Sequence, residues 1–313
     1  MRVHQSIENY DPKKESSVLT IGTFDGVHIG HQKIIQRLNE IKSNSQQRSV
    51  ILTFYPHPRR VLDHRNDIKM LTTLDEKIQL LEKFGLDDLI VEPFTKEFSR
   101  QSALDFVRNI LVLKLHLKKL VIGYDHQFGK NREGNFEQLI EYGELYDFGV
   151  EKISAQEIEH VSVSSTKIRK AIENGDMDTA NKYLGYNYLL TGEIVKGQGI
   201  GRKIEFPTVN LNISEDFKLI PKKGVYVVHA KFRNESCFGI MNIGFRPTVG
   251  GKGQTIEVHL LDFNGDLYGM GMQLEVLTRL RDEKKFENID DLKEQIGKDE
   301  LLARNWLSKL DQH

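Results

Sequence analysis

The first half of the chain alternates short apolar runs with longer segments in which apolar residues recur at helical spacing. The apolar runs predict five strands, at residues 18–22, 49–55, 86–91, 120–123 and 150–153. The segments between them predict helices, at residues 34–41, 74–84, 104–113 and 136–146. Such alternation is typical of a Rossmann-like parallel sheet covered on both faces, in which ligands bind at the carboxyl ends of the strands.

A different pattern begins near residue 185. Two short helices precede it, the first capped by Ser164 or Ser165 and the second by Asp176, and Gly185 is a plausible helix stop. Six strands follow with no helix between them, at residues 188–195, 209–213, 225–232, 236–243, 255–263 and 272–280. This pattern predicts a small antiparallel β-barrel. We therefore expect an α/β domain over residues 1–185 and a β domain over residues 186–313.

The end of the chain predicts one further helix, over residues 290–310 with an interruption at Gly297. Leu302, Trp306 and Leu310 recur along one stripe of this helix, and the stripe is expected to dock on the barrel. Trp306 is thus expected to pack in a core rather than to stack on a ligand.

Composition narrows the class of protein. The chain has 313 residues and a formal net charge of -1, which gives no general argument for binding nucleic acid or a membrane surface. Its one cysteine, Cys237, excludes an intramolecular disulfide and a thiolate metal cage. No apolar run approaches the length of a membrane span, and the N-terminus lacks an apolar core of signal-peptide type. We expect a cytoplasmic protein, monomeric or weakly self-associating, with small-molecule partners.

The most specific segment is GTFDGVHIGH, residues 22–31, which lies between the first strand and the first helix. Nucleotide-binding α/β proteins place their phosphate loop at this position. Gly22, Gly26 and Gly30 allow tight turns, while His28 and His31 can point the same way beside free backbone N–H groups. A single histidine there would more simply be incidental, but the pair favours an anion site that stabilises charge on a phosphate. A zinc site is a weak alternative, because the helix carries no third ligand at suitable spacing.

A second helix start, VSSTKIR at residues 163–169, offers hydroxyl and cationic side chains together. By itself this segment is typical of a plain N-cap, but together with HxGH it predicts a corner that holds phosphates. The loop over residues 123–134 offers Asp125, Lys130 and Arg132, and it lies with the loop over residues 55–60 at the predicted ligand edge. For any one of these residues a solvated loop is an equally serious interpretation.

These motifs together carry a family resemblance. GTFDGVHIGH with VSSTKIR resembles the nucleotidyltransferases with an HxGH signature, and GYDHQFGKNREG narrows this to the bacterial bifunctional riboflavin kinase/FAD synthetase family. The resemblance implies that His28 and His31 bind ATP phosphates and stabilise the transition state, and that Asp125 lies in a flavin or nucleotide pocket. It implies ATP-binding roles for Gly22, Phe24, Asp25, Gly30, Ser164, Ser165, Thr166 and Arg169. His126 and Val163 depart from the usual Phe and Ile of the family.

The barrel half contains a weaker chemical pattern. Thr208 and Asn210 are two apart in an extended segment, so both side chains face one side and could share Mg²⁺ with ATP phosphates. In residues 255–263, Glu257 and His259 alternate with apolar residues, and a carboxylate there could accept a proton from a substrate hydroxyl. Periodicity alone leaves a solvent-facing position equally plausible for these side chains. The glycine-rich run at residues 197–201 follows a barrel strand, so dinucleotide binding is not expected.

Several barrel motifs strengthen the resemblance. GRKIEFPTVN, KKGVYVV, MNIGFRPTVGG and TIEVHLLDFNGDLYG resemble the riboflavin kinase module of the same family. The resemblance implies that Thr208 and Asn210 coordinate Mg²⁺-ATP and that Glu257 is the general base acting on the riboflavin 5′-hydroxyl. It also implies that Arg281 lines the flavin end, and that the loop closing on nucleotide contains Gly197, Gly199, Gly201 and Arg202. Glu205 stands where the family commonly has Gly.

The expected function is a pair of ATP-dependent reactions with Mg²⁺ as cofactor. Riboflavin and ATP would give FMN and ADP, and FMN and ATP would then give FAD and pyrophosphate. Three alternatives remain: a chain with only the adenylyl transfer activity because of Glu205, a flavin-binding regulatory protein, and an adenylyltransferase for another phosphorylated metabolite such as a pantetheine phosphate.

Overall fold

The computed structural model contains two compact units, residues 1–165 and 166–313. It describes residues 1–12, 15–43, 47–63, 68–123, 127–130, 133–153, 163–197, 206–248 and 251–310, with the side chains of residues 246–248 and 251–252 outside the description. The two units differ in secondary structure, as the sequence predicts: strands alternate with helices in the first, and strands predominate in the second. The position of the domain boundary at residue 185 stays a prediction.

The first unit is built on a six-stranded sheet in which every pair of neighbouring strands is parallel. Its strands are β1 Arg2–His4, β2 Ser16–Ile21, β3 Gln47–Tyr55, β4 Asp88–Pro93, β5 Leu117–Gly123 and β6 Gly149–Ile153. They lie in the order β1-β4-β3-β2-β5-β6. The chain moves in one direction from β2 to β4 and then crosses to the other side of β2, so the order reverses between β2 and β5. The carboxyl ends of strands at such a reversal form a natural ligand crevice.

Helices cover this sheet. They are α1 Ile29–Ser43, α2 Pro58–Leu62, α3 Leu74–Glu82, α4 Ala103–Asp105 and α5 Phe136–Tyr146, and α4 continues as a π-helix over Phe106–Val112. Neighbouring residues of β2, Val18 and Leu19, are both fully buried, so both sheet faces are covered. The parallel α/β architecture predicted for this half is confirmed.

The edge strand β1 is absent from the sequence-based prediction because its three residues show no apolar pattern. Polar contacts hold it instead. The buried carboxylate of Asp88 on β4 accepts hydrogen bonds from Arg2 Nε at 2.8 Å, His4 Nε2 at 2.8 Å and Arg48 Nε at 2.6 Å. A cluster of charged side chains thus stabilises this edge strand, whereas apolar packing stabilises the other strands of the sheet.

The second unit begins with two helices, α6 Ser165–Asn174 and α7 Met177–Leu184, and continues as a closed antiparallel barrel. The barrel strands are β7 Tyr188–Val195, β8 Thr208–Asn212, β9 Gly224–Phe232, β10 Glu235–Thr248, β11 Gly251–Leu260 and β12 Gly271–Arg281. They close in the order β10-β11-β8-β7-β12-β9. Met241, Val258 and Tyr226 are fully buried and alternate with residues on the outer face. The predicted antiparallel barrel is confirmed.

The terminal helix α8, Ile289–Leu310, runs without a break at Gly297. The predicted docking stripe is wrong at Leu302 and Leu310, which are 51% and 50% exposed, whereas Trp306 packs on the barrel core as expected. Ala303 is fully buried instead and packs with Trp306 and Leu307 on barrel residues. The helix is turned toward this face by a buried carboxylate at Asp299, which apolar periodicity does not reveal.

Candidate active sites

The loop over residues 22–31 follows β2 at the point where the strand order reverses. Its backbone turns through left-handed conformations, with φ of 48° at Phe24, 84° at Gly26 and 37° at Val27. A side chain on Gly22 would meet the Phe24 ring at 3.1 Å. The predicted tight, glycine-dependent loop is therefore present at the sheet edge where ligands bind.

The side chain of Asp25 ties this loop to the segment before α3. Asp25 is 2% exposed, and its carboxylate accepts the backbone N–H groups of Leu71 at 3.0 Å and Thr72 at 3.2 Å. Its backbone carbonyl accepts a hydrogen bond from the Ser165 hydroxyl at 3.0 Å. Asp25 thus fixes the shape of the loop and links it to the VSSTKIR segment.

His28 and His31 lie against each other at the start of α1. Their rings stack with centroids 3.7 Å apart and an interplanar angle of 16°, and the Phe24 ring packs 4.8 Å from His31. Burial lowers the pKa of His31 well below 6.5, and the nearby His28 and Lys77 lower it further. His31 is therefore neutral at pH 7, and its buried Nδ1 has no hydrogen-bond partner among the described residues.

One residue of this site was missed by the sequence reasoning. Lys77 on α3 is 6% exposed, and its ammonium group donates a hydrogen bond to the Thr23 carbonyl at 2.7 Å. A lysine on an amphipathic helix is ordinarily a surface residue. No pattern in the sequence distinguishes Lys77 from the other lysines of the chain.

The remaining residues predicted for the first site are placed as follows. Ser164 directly precedes α6, and Ser165, Thr166 and Arg169 lie in its first turns. Gly30 is buried in the first turn of α1. Asp125, with its neighbour His126, lies outside the described residues.

A cluster of phenylalanine rings follows the carboxyl ends of β3, β4 and β5. Phe54, Phe94 and Phe98 lie with ring centroids 5.5 to 5.8 Å apart. Phe98 also packs 6.1 Å from Phe106, and Phe106 lies 6.1 Å from Phe128. Phe106 and Phe128 are buried in the core, whereas the other three rings are partly exposed and offer an apolar surface at this edge of the sheet. The cluster was not predicted, because its members are spread over residues 54–128 and meet only in the folded sheet.

The second candidate site lies on the outer face of the barrel. In the β8–β11 ladder Glu257 is directly opposite Asn210, and His259 is directly opposite Thr208. Asn242 on β10 is opposite Glu257 from the other side. Directly opposite residues share a face and have Cβ atoms about 5 Å apart. The pairing therefore brings Glu257 onto one surface with Thr208 and Asn210, which lie almost fifty residues earlier in the sequence.

The start of the glycine-rich run over residues 197–201 approaches Asn210. A side chain on Gly197 would lie 2.1 Å from the Asn210 Nδ2 atom, so only glycine leaves the amide in its place. His259 Nδ1 lies 2.9 Å from the Pro207 carbonyl oxygen, and its ring lies 5.4 Å from Phe206. Gly199, Gly201, Arg202 and Glu205 lie outside the described residues.

Arg281, at the end of β12, forms a two-pronged salt bridge with Asp299 of α8. Nε lies 2.7 Å and Nη2 2.6 Å from the two carboxylate oxygens, and Asp299 also accepts a hydrogen bond from Gln295 at 3.0 Å. Asp299 is 3% exposed. Arg281 therefore connects the barrel to the terminal helix, whatever it contacts in addition.

The donor chemistry of the barrel site is compatible with Mg²⁺. Thr208 and Asn210 supply neutral hard oxygens, which Mg²⁺ accepts when phosphate oxygens complete its shell. Within the described part of the chain, no group of three or more His, Cys, Asp or Glu residues is arranged to hold a metal ion. The site therefore fits a metal ion that is shared with a nucleotide rather than caged by protein.

No helix in the described ranges is both long and apolar enough to cross a membrane.

Comparisons with known proteins identify a family for each half of the chain. Residues 10–167 match the model of the FAD synthetase family, and residues 184–307 match the model of the riboflavin kinase family. The bifunctional riboflavin kinase/FMN adenylyltransferase of Listeria monocytogenes is 37% identical over 311 residues, covering 99% of this chain and 98% of that protein. The protein of the same description from Escherichia coli (strain K12) is 36% identical over 308 residues, 98% of each chain.

A solved structure from Streptococcus pneumoniae, described as a macrolide-efflux protein, has the same fold. Its TM-score is 0.88 at 30% sequence identity, covering 97% of this chain and 99% of that one. The fold and the two sites define a nucleotidyltransferase domain joined to a barrel kinase domain. The chain belongs to the bifunctional riboflavin kinase/FMN adenylyltransferase family and is an enzyme of flavin cofactor biosynthesis.

Proposed function

We propose that the chain forms FMN from riboflavin on the outer face of the barrel and FAD from FMN at the loop over residues 22–31, with ATP as the second substrate of both steps. The observation that carries this proposal is the strand register that pairs Glu257 with Asn210. It joins a candidate base to a candidate metal ligand on a rigid surface, whereas neither residue alone would distinguish a kinase from an ordinary barrel.

In the kinase step, the Glu257 carboxylate takes the proton of the riboflavin 5′-hydroxyl. The 5′-oxygen then forms a bond to the γ-phosphorus of ATP as the bond to the β,γ-bridging oxygen breaks, and ADP leaves. Thr208 and Asn210 would hold Mg²⁺, which neutralises phosphate charge when bound. Arg281 and the loop with Gly197, Gly199, Gly201 and Arg202 are proposed to border the flavin and the nucleotide, respectively.

In the adenylyl transfer step, a phosphate oxygen of FMN bonds to the α-phosphorus of ATP, and pyrophosphate leaves. His28, His31 and the loop N–H groups face the growing charge, and the hydroxyl and cationic groups of Ser164, Ser165, Thr166 and Arg169 are proposed to bind the triphosphate. His31 is neutral at pH 7, so it contributes a hydrogen bond rather than a charge. Gly22, Phe24, Asp25 and Gly30 shape this loop.

The flavin ring of FMN is proposed to lie against the phenylalanine cluster. The cluster lies at the carboxyl ends of parallel strands, and its rings Phe54, Phe94 and Phe98 are partly exposed. These exposed parts can pack against an aromatic flavin ring. Asp125 is proposed to lie in the same pocket. An apolar surface next to a phosphate loop suits a ligand with a flat ring at one end and a phosphate at the other.

We also propose that the chain works in the cytoplasm, as a monomer or a weak homo-oligomer with only small molecules as partners. A net charge of -1 and a single cysteine support this setting.

The test is a flavin assay in which riboflavin, ATP and Mg²⁺ are incubated with the protein and the products are separated by chromatography. His28→Ala combined with His31→Ala should abolish FAD while FMN still accumulates. Glu257→Gln should lower FMN formation by about a hundredfold or more, yet leave added FMN convertible to FAD. If the histidine variant also stops FMN formation, or Glu257→Gln also stops the conversion of added FMN to FAD, while the protein remains folded, the assignment to two separate sites is wrong.

A further inference from the structure

The ammonium group of Lys77 is held inside the first unit. It donates a hydrogen bond to the Thr23 carbonyl at 2.7 Å, and that carbonyl belongs to the loop that presents the histidine pair. Lysine usually keeps its charged end in water, since burying an ammonium group is costly. A buried lysine that contacts the backbone of a phosphate loop therefore points to a role in that loop.

The charged groups around Lys77 come from two other elements and from α3 itself. Asp25 faces it from the loop, and His28 and His31 come from the start of α1. Glu76, its neighbour on α3, is engaged in a capping box with Thr73. Asp25 is thus the carboxylate that attracts Lys77, while its own oxygens are bound by backbone N–H groups.

The charge state of this group follows from its burial. Burial lowers the pKa of Lys77 from 10.5 to about 8, against the attraction of Asp25. Lys77 is consequently still largely protonated at pH 7, and its positive charge is one cause of the low pKa of His31. At neutral pH, Lys77 is therefore protonated while His31 is neutral.

We propose that Lys77 is a positioning residue for adenylyl transfer, which anchors the loop by donating a charged hydrogen bond to the Thr23 carbonyl and places a positive charge beside His31, whose neutral state is set mainly by burial. This inference rests on the proposed function of the histidine pair. Lys77 does not touch the reacting atoms in this arrangement. It sets the position of the loop and places a positive charge beside a residue that does.

The direct test is Lys77→Met, which keeps the length and apolar stem of the side chain and removes its charge and donor. The matched control is Lys83→Met, at the exposed end of α3. FAD formation from added FMN is measured as kcat and KM separately, and FMN formation from riboflavin is measured in the same preparation. We expect kcat for FAD formation to fall about ten- to a hundredfold, with KM for FMN changed less than about threefold. FMN formation, and every activity of the control, should be unchanged.

Two further readouts separate positioning from a merely structural role. The NMR titration midpoint of His31 should move upward in Lys77→Met, because a neighbouring positive charge has been removed. In the unmodified enzyme, kcat for FAD formation should fall as pH rises through about 8, because Lys77 then loses its proton and its hydrogen bond to the Thr23 carbonyl is no longer charge-assisted. That limb should be missing from the profile of Lys77→Met and from that of Lys77→Gln, which retains a donor but no charge.

The outcomes discriminate as follows. Retention of kcat within about threefold in a folded Lys77→Met would overturn the proposal, as would an unshifted His31 titration. If the variants fail to fold, the unmodified enzyme still decides, because a profile without the alkaline limb contradicts the charge role. If FAD formation is lost in the variant with His28 and His31 changed but retained in Lys77→Met, this inference alone is refuted. Normal FAD formation in the histidine variant would instead refute the proposed function.

Discussion

Replacing Gly197 by alanine tests how the barrel site is built. Gly197 lies just after β7, next to the side chain of Asn210 on β8. A Cβ atom at Gly197 would lie 2.1 Å from Asn210 Nδ2 and 2.9 Å from its Cγ. No other substitution in the described chain adds so little mass so close to a proposed metal ligand.

The size of the effect follows from these distances. Ordinary van der Waals contact begins at 3.4 Å, so the amide must move by about 1.3 Å to accept the new methyl group. Because the amide is the end of a rotatable side chain, it can move without displacing the strand, and the free energy of unfolding should change little. A displacement of about 1 Å in a positioned group can cost about a hundredfold in rate, or about 2.7 kcal/mol. We expect that loss in kcat/KM for FMN formation.

The assay follows FMN formation at varied ATP and Mg²⁺, with conversion of added FMN to FAD as an internal reference that should not change. Gly271→Ala is the matched control, because a side chain at this position of β12 would have nothing within 4 Å. A double-mutant cycle with Asn210→Ala should be strongly non-additive, since both changes act on the same amide. Kinase activity of Gly197→Ala within about threefold of the unmodified enzyme, or additive effects in the cycle, would refute the reasoning.

Two other predictions concern stability and reactivity. Although burial alone would raise it, the pKa of Asp88 is held below 3.8 by hydrogen bonds from Arg2, Arg48 and His4. A depressed carboxyl pKa stabilises the fold above pH 3.8, and the contribution is lost as pH falls through the folded-state value. Asp88→Asn should therefore lower the free energy of unfolding by about 3 kcal/mol at pH 7, and by progressively less as the pH is lowered from 3.8 through the folded-state pKa, in urea titrations followed by circular dichroism. An equal loss across that pH range would contradict this account. Burial raises the pKa of Cys237 to about 11, so its alkylation by iodoacetamide at pH 8 should be far slower than that of free cysteine, and a comparable rate would count against it.

Much of the architecture was predictable because its signals are local. Alternation of apolar runs and helical spacing predicts the parallel sheet, and strands without helices predict the barrel. β1 escaped prediction because its partner, Asp88, is over eighty residues away and holds it by charge. The docking face of α8 was predicted wrongly because the buried polar residue Asp299 cannot be recognised from apolar periodicity.

The two candidate sites were likewise predictable only where the signal in the sequence is local. Alternation along each strand predicts that Thr208 and Asn210 share a side, but only the pairing of β8 with β11 sets Asn210 opposite Glu257. That register depends on the whole closed sheet and has no local signal. Lys77 could not be predicted either, since its burial is decided by the loop that packs over α3.

Closure of the barrel restricts which insertions and deletions this enzyme can tolerate. Adding or removing one residue within β8 would turn Asn210 toward the apolar interior, because successive side chains point to opposite faces. β8 is bonded to β7 on one side and β11 on the other, so it cannot slide to compensate. Changes in length can accumulate only in the connections between strands, and descendants of this gene should keep the spacing within β8 even where their sequences diverge.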